Sequence, residues 1–335
     1  MLSLSMLSGV LAGCAKTGGD AAANGFVNVY NWGEYIDESI FSDFTAQTGI
    51  AVNYKTFADN EGMHATLAAG GADYDVVIPS DYMISRMIEE DMLEPLDFSK
   101  IPNFSDIDPA LKSPEYDPTG EYSVPYMWGT VGIIYNTKKV TEPVDSWSIL
   151  FDPKYVGQVL MFDNSRDTIG IALKYLGHSF NTTDVATIKA AVDLLIQQNK
   201  AGIVQSYVMD QIFDKLEVCE AAIGPYYAGD FITMHESNPD LAFCLPKEGS
   251  NRFVDAMCIP KGAANKANAE AFINFMCSTD AGLKNCEAIG YSTPLLSVKD
   301  ALPDEIKNSP VAYPDAETMA RCETFTNLPE NILAL

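Results

Sequence analysis

Apolar and polar positions fall into a regular alternation from Phe26 onward. Short runs rich in β-branched and aromatic residues occur at 27–32, 51–57, 74–79, 158–162, 221–227, 241–246 and 253–260. Such runs read as sheet strands. Stretches with helical spacing lie between them. Ile40, Phe41 and Phe44 share a face between Asp37 and Gly49, a stop residue. Ile84, Met87 and Ile88 follow Ser80, a residue type that caps helix starts. Further helices are predicted at 168–176, ending at Gly177, and at 184–198, where Asp184 is the cap and Ile188, Val192 and Leu195 line one side. Two more fall at 267–277 and 281–289. Strands alternating with helices predict an α/β architecture with buried parallel strands.

At 335 residues the chain is long enough for two domains. Residues 122–136, YSVPYMWGTVGIIYN, form an extended run with Pro and two Gly, and 247–255 lead from polar, Gly-containing chain into an apolar strand. Both read as crossings between domains, and a third lies near Lys299. The expected domains are therefore discontinuous: 26–129 with 254–298, and 133–250 with 302–335. The crossings are 130–132, 251–253 and 299–301. A cleft between such domains is a common ligand site. No internal repeat is present.

Charge narrows the function. Lys and Arg number 21 against 46 Asp and Glu, a net charge of −25. Such a surface repels phosphate backbones, so nucleic acid is excluded as a partner, while cations are drawn in. Residues 1–14, MLSLSMLSGVLAGC, are uncharged and too short to span a bilayer. They read as an export signal, and Leu11-Ala12-Gly13-Cys14 resembles a bacterial lipobox with Cys14 as the lipidated residue. Residues 15–25 are small and polar, a tether between anchor and folded body. The remaining cysteines form no CxxC pair. Several sit in apolar runs, which predicts buried free thiols. No phosphate loop, GxGxxG, GxSxG or HExxH occurs. No metal site, cofactor or catalytic residue is expected.

Aromatic and amide residues recur beside acids at strand ends. The clusters are Asn31-Trp32-Gly33-Glu34-Tyr35, Pro79-Ser80-Asp81-Tyr82, the stretch 163–167, Pro225-Tyr226-Tyr227, Phe253-Val254-Asp255 and Gly290-Tyr291. Taken singly, each reads as core rings beside solvated acids. Together, at successive strand ends where α/β sheets bind ligands, they match what an organic polyamine needs. Each desolvated ammonium requires an oxygen acceptor, and aromatic faces attract cations and cover methylenes.

The segments YNWGEYI, TGIAVNYKTFADNE, YDVVIPSDYMI, YSVPYMWGTVGIIYN, FDNSRDTIGIAL, PKEG, IGYSTP and YPDAET resemble the spermidine/putrescine-binding proteins of bacterial ABC transporters, from Phe26 to about Glu323. The resemblance implies a two-domain periplasmic-binding-protein fold of type II-like form, each domain a mixed sheet flanked by helices, with the ligand cleft between. It implies an extracytoplasmic, monomeric, lipid-anchored protein that delivers polyamine to ABC permease subunits in the membrane. Trp32 and Tyr35 match the family's NWxEY aromatics, with Glu34 an acceptor between them. Ser80 and Tyr82 match VPSxY. Asp167 and Asp255 match acids that grip amines, and Ser206 matches a further contact. Asn164 stands where the family often has Asp, with Asp163 beside it to compensate. Tyr226 and Phe253 replace Trp, and Tyr291 matches the ring of IGYxTP. A family Gln is replaced near Phe325, so fewer polar contacts are expected. The family's final helix is mostly missing before Leu335, so a truncated end is expected.

Two other functions fit some residues. A tyrosine pair such as Tyr226-Tyr227 occurs in ferric-iron-binding relatives of this fold, though iron needs further O or N ligands. An acid pair would suit a secreted hydrolase, but with 46 acids such a pair carries little information.

Overall fold

The structure is a computed structural model that describes residues 24–70, 73–112 and 114–335. The export signal with Cys14, and all but the last two residues of the tether, lie outside the described residues.

The N-terminal part winds strand, helix, strand, helix, strand: β1 (Phe26–Trp32), α1 (Ile40–Thr48), β2 (Ala51–Phe57), α2 (Asn60–Ala68) and β3 (Val76–Val77). β1 lies between β2 and β3, parallel to both. Gly49 ends α1 with φ of 73°, a left-handed turn that costs a residue without Cβ little. The run expected at 74–79 forms only the two-residue β3. The chain beyond it turns into α3 (Asp81–Glu89), so that Ser80 stands at the helix start as expected.

After β4 (Leu93–Glu94) comes β5 (Ser123–Asn136), 14 residues long and buried at most positions. The following elements are β6 (Val159–Phe162), α4 (Ser165–Tyr175), α5 (Val185–Lys200), β7 (Val204–Val208), α6 (Gln211–Glu217), β8 (Ile223–Tyr227), α7 (Ala228–Ser237) and β9 (Leu241–Cys244). β10 (Arg252–Pro260), α8 (Lys266–Met276), α9 (Thr279–Ile289) and α10 (Leu296–Ala301) complete the main elements. Six of these were not legible in the apolar pattern, among them the short β4 and α10. α2 is built largely of Gly, Ala and polar residues, β7 is short, α6 lacks a side-chain cap, and α7 follows β8 directly.

The strands run β2-β1-β3-β10-β5-β8-β6-β7, with β4 beside β10 and β9 beside β5. β10 is antiparallel to β3 and β5, whereas β6 is parallel to β7 and β8. β5 joins the two halves. Its residues 123–130 pair with β10, and its residues 131–136 pair with β8 and β9. The partner change between Thr130 and Val131 falls at the first expected crossing. Asn251, in the second, bridges to Glu323. The third, 299–301, falls in the last turn of α10.

Helices cover both halves. α8 packs on β1 and β10, α9 on α1, and α6 and α7 on β8 and β5. Trp147, Phe44, Phe162 and Phe272 are among the wholly buried side chains. The six described cysteines are free. Cys258, Cys277 and Cys286 are buried, and Cys219, Cys244 and Cys322 are half-buried, in keeping with their apolar neighbours.

Candidate functional site

A cleft opens where β1, β3 and β8 end and β10 begins, and it encloses about 980 Å³ of space, part of it open to solvent. Trp32, Glu34, Tyr35, Ser80, Tyr82, Asn164, Asp167, Tyr226, Phe253, Asp255 and Tyr291, named from the sequence, all line it. Ser206 does not. It sits within β7 opposite Leu160, its Oγ buried without a partner. Asp163, expected to compensate for Asn164, is exposed and lines a separate groove.

Asp255 is the centre of the site. It is buried on β10, next to a register shift between Asp255 and Ala256. Tyr35 donates its hydroxyl to Oδ2 at 2.8 Å, and Ser80 donates Oγ to Oδ1 at 2.6 Å. These two donors come from the loop after β1 and from the start of α3, so three segments meet on one carboxylate. Ser80 thus stands at the cap position of α3 while its hydroxyl serves Asp255 instead of the helix. Burial pushes Asp255 up to about 6, against the opposing pull of the Ser80 and Tyr35 hydrogen bonds.

Asp167 lies in the first turn of α4. Asn164 caps this helix, accepting from the Asp167 amide at 3.0 Å, and donates Nδ2 to Asp167 Oδ2 at 2.5 Å. The helix therefore starts three residues earlier than expected. The residue that replaces a family Asp is a cap and a clamp on the neighbouring acid. Burial pushes Asp167 up to about 6.

The far end holds an acid missed in the sequence. Asp230, in the first turn of α7, accepts the Tyr291 hydroxyl at 2.6 Å. It keeps part of its surface open to the cleft, yet burial still pushes it up to about 7. Asp81 is buried under the site. It accepts amides of Tyr82 at 2.7 Å and Val254 at 3.1 Å, and burial pushes it up to about 8. Asp210 lines the same wall. Only the α7 start, following Tyr226-Tyr227 without a break, offered a sequence clue to Asp230. Asp81 belongs to the Pro79–Tyr82 cluster seen in the sequence, whereas Asp210 and Asp230 are acids of the cleft that no local motif announced.

Arg166 is the one basic residue on the described wall. Its guanidinium lies 4.5 Å from the Phe325 ring centroid and 5.5 Å from that of Tyr82, and it donates to Thr326 O at 3.2 Å. Desolvation lowers its pKa. Phe325, where a family Gln was missing, is thus a platform for the arginine.

The rings of the wall pack in two groups. Trp32 packs on Phe57 at 4.7 Å between centroids, Tyr35 on Tyr291 edge-on at 4.7 Å, and Tyr227 on Phe253 edge-on at 5.5 Å. Trp32 is pinned by a bond from its Nε1 to Ile78 O of 2.9 Å. Buried carboxylates among π-faces are the chemistry that recognises organic amines. Among the described residues, no group of three or more His, Cys, Asp or Glu side chains stands together to hold a metal ion. No helix of the described residues is long and apolar enough to cross a membrane.

The sequence profile of bacterial extracellular solute-binding proteins matches residues 39–314. The spermidine/putrescine-binding periplasmic protein of Escherichia coli is 36% identical over 303 residues, 90% of this chain and 86% of that protein. The spermidine/putrescine ABC transporter substrate-binding protein of Streptococcus pneumoniae superposes with a TM-score of 0.80 at 38% identity, over 92% of this chain and 95% of that one. The Tp0655 lipoprotein of Treponema pallidum gives 0.82 at 29% identity, over 92% and 96%. These similarities bear out the two-domain periplasmic-binding-protein fold, with its cleft between domains, and the family read from NWGEY and IPSDY. The chain belongs to the bacterial extracellular solute-binding proteins.

Proposed function

We propose that this protein captures polyamines outside the cytoplasm and hands them to the permease subunits of an ABC transporter. The observation that carries the reading is Asp255, a buried carboxylate held by two hydroxyls inside an aromatic, acid-lined cleft. The relatives are named for spermidine and putrescine, which favours amines over ferric iron. Trp32, Glu34, Tyr35, Ser80, Tyr82, Asn164, Asp167, Tyr226, Phe253, Asp255 and Tyr291 are the proposed contacts, joined by Asp230. The protein binds without transforming its guest, as suits a family of transport receptors. The two lobes comprise 26–129 with 254–298 and 133–250 with 302–335, and close about the crossings. Support for this hinge is the partner change within β5. Cys14 is the proposed lipid anchor, and a relative described as a lipoprotein supports it.

Calorimetry with putrescine, cadaverine, spermidine and spermine tests the proposal. At least one amine is expected to bind and to be recovered unchanged. Absence of heat with all four would refute the polyamine reading, and a new product would refute the non-catalytic one.

A further inference from the structure

The start of α2 settles which way the Tyr82 hydroxyl points. Asn60, the first residue of α2, is buried and lines the cleft. Its Oδ1 accepts the Ser80 amide at 3.2 Å, and its Nδ2 donates to the Tyr82 hydroxyl at 3.2 Å. A backbone amide only donates, so the side-chain oxygen of Asn60 must face Ser80 and its nitrogen must face Tyr82. The Tyr82 hydroxyl in turn donates to Glu61 Oε1 at 2.9 Å, and a carboxylate only accepts. One lone pair of the hydroxyl oxygen is therefore spent on Asn60, and its proton on Glu61. The second lone pair is left over, on a side chain that lines the cleft. Arg166 lies over the Tyr82 ring, yet its Nη2 bonds to Asn181 Oδ1 and Thr326 O instead.

Tyr35, Ser80 and Tyr291 also give their protons to acids, Asp255 and Asp230. Those two acids line the cleft, where a guest meets them directly. Glu61 differs, because it is exposed and is no part of the cleft wall. A tyrosine hydroxyl free to rotate turns its proton into the cleft part of the time, and a proton there repels an ammonium. One held by Glu61 offers oxygen alone, already ordered before the guest arrives. We propose that Glu61 is a positioning residue, which takes the Tyr82 proton so that the hydroxyl meets an ammonium as an acceptor. Folding asks little of this bond. An exposed acid in the first turn of a helix serves the helix dipole whether or not it reaches a tyrosine. The inference rests on the polyamine reading and names what orients one contact of that site.

The test is calorimetry with spermidine and putrescine on the wild type, Glu61→Ala, Glu61→Gln, Tyr82→Phe and the double variant of Glu61→Ala with Tyr82→Phe. Glu61→Ala should lose about fivefold in affinity for whichever amine the wild type binds more tightly. The same substitution beside Tyr82→Phe should change affinity less than about twofold, since no hydroxyl remains to be positioned. Glu61→Gln keeps an acceptor and removes the charge, so it should stay within about twofold of the wild type. Equal losses with and without the Tyr82 hydroxyl, or a glutamine variant as weak as the alanine one, would overturn the inference and mark Glu61 as a long-range charge. No loss in Glu61→Ala would overturn it as well. If melting curves show that Tyr82→Phe does not fold, the comparison of glutamine with alanine decides alone. A wild type that binds neither amine sinks the polyamine reading. A wild type that binds, with Glu61→Ala indifferent, sinks only the role of Glu61.

Discussion

Asp255 shows how neighbours set the chemistry of one carboxylate. Burial alone favours its neutral form, and the hydroxyls of Tyr35 and Ser80 draw it back toward the anion. An ammonium completes that shift. Asp255→Asn should therefore cost polyamine binding roughly 2 kcal/mol or more, about thirtyfold in affinity. Calorimetric affinity unchanged by this substitution would remove Asp255 from the site. Tyr35→Phe withdraws one donor and leaves the ring, so the Asp255 carboxyl should titrate above its present value of about 6. Carbon-13 NMR of the labelled carboxyl reads this directly, and a downward or absent shift contradicts it. Residues of this kind are legible from local sequence: Trp32, Tyr35, Ser80 and Asp255 sit in motifs where ring and acid adjoin. Asp230 and Arg166 are not, because nothing in AGDF or NSRD marks which side chain turns inward.

Helix starts deliver the acids to the cleft. Asn164 both caps α4 and holds Asp167, so Asn164→Ala should lower stability by about 1 kcal/mol. It should weaken polyamine binding as well, because Asp167 loses its clamp. Chemical denaturation and calorimetry on one preparation check both effects, and a loss confined to stability would show that the clamp has no part in binding. α7 brings a second acid in the same way, and here packing is the constraint. A Cβ at Gly229 would stand 2.4 Å from the Tyr291 ring. Gly229→Ala should push Tyr291 from Asp230 and destabilise the protein by about 1–3 kcal/mol. A variant as stable as the wild type would mean that the ring moves freely. The apolar period found α5, α8 and α9, whose faces are long enough to register. It missed α6, seven residues without a side-chain cap, and α7, which runs on from β8 with no cap to mark its start; both pack on β8 and β5.

Across the whole molecule, raised carboxyls make binding depend on pH. Asp167 and Asp255 titrate at about 6 and Asp230 at about 7 in the empty protein. Their folded values lie above the unfolded carboxylate value of about 4. The native state therefore holds protons more tightly than the unfolded chain, and unliganded stability declines as pH rises from about 4 through these values. A bound amine cation needs the ionised forms, so affinity should fall as pH drops from 8 to 5. The melting-temperature rise caused by polyamine should be larger at pH 8 than at pH 5.5. Equal rises at the two pH values would show that these acids do not face the ligand. Affinity should weaken only modestly with salt, since charges in a closed cleft are screened less than those on a surface.

The alternation of apolar runs, the turn residues and a handful of ring–acid motifs specified the α/β class, most strands, the long crossing strand and the family, because these are local patterns repeated along the backbone. The convergence of Tyr35, Ser80 and Asp255 from distant segments, the inward turn of Asp230, the exclusion of Ser206 and the stacking of Arg166 on Phe325 arise only once β5 and β10 bring the two halves together. Those outcomes depend on burial and on contacts between residues up to 220 positions apart, and a linear pattern carries neither.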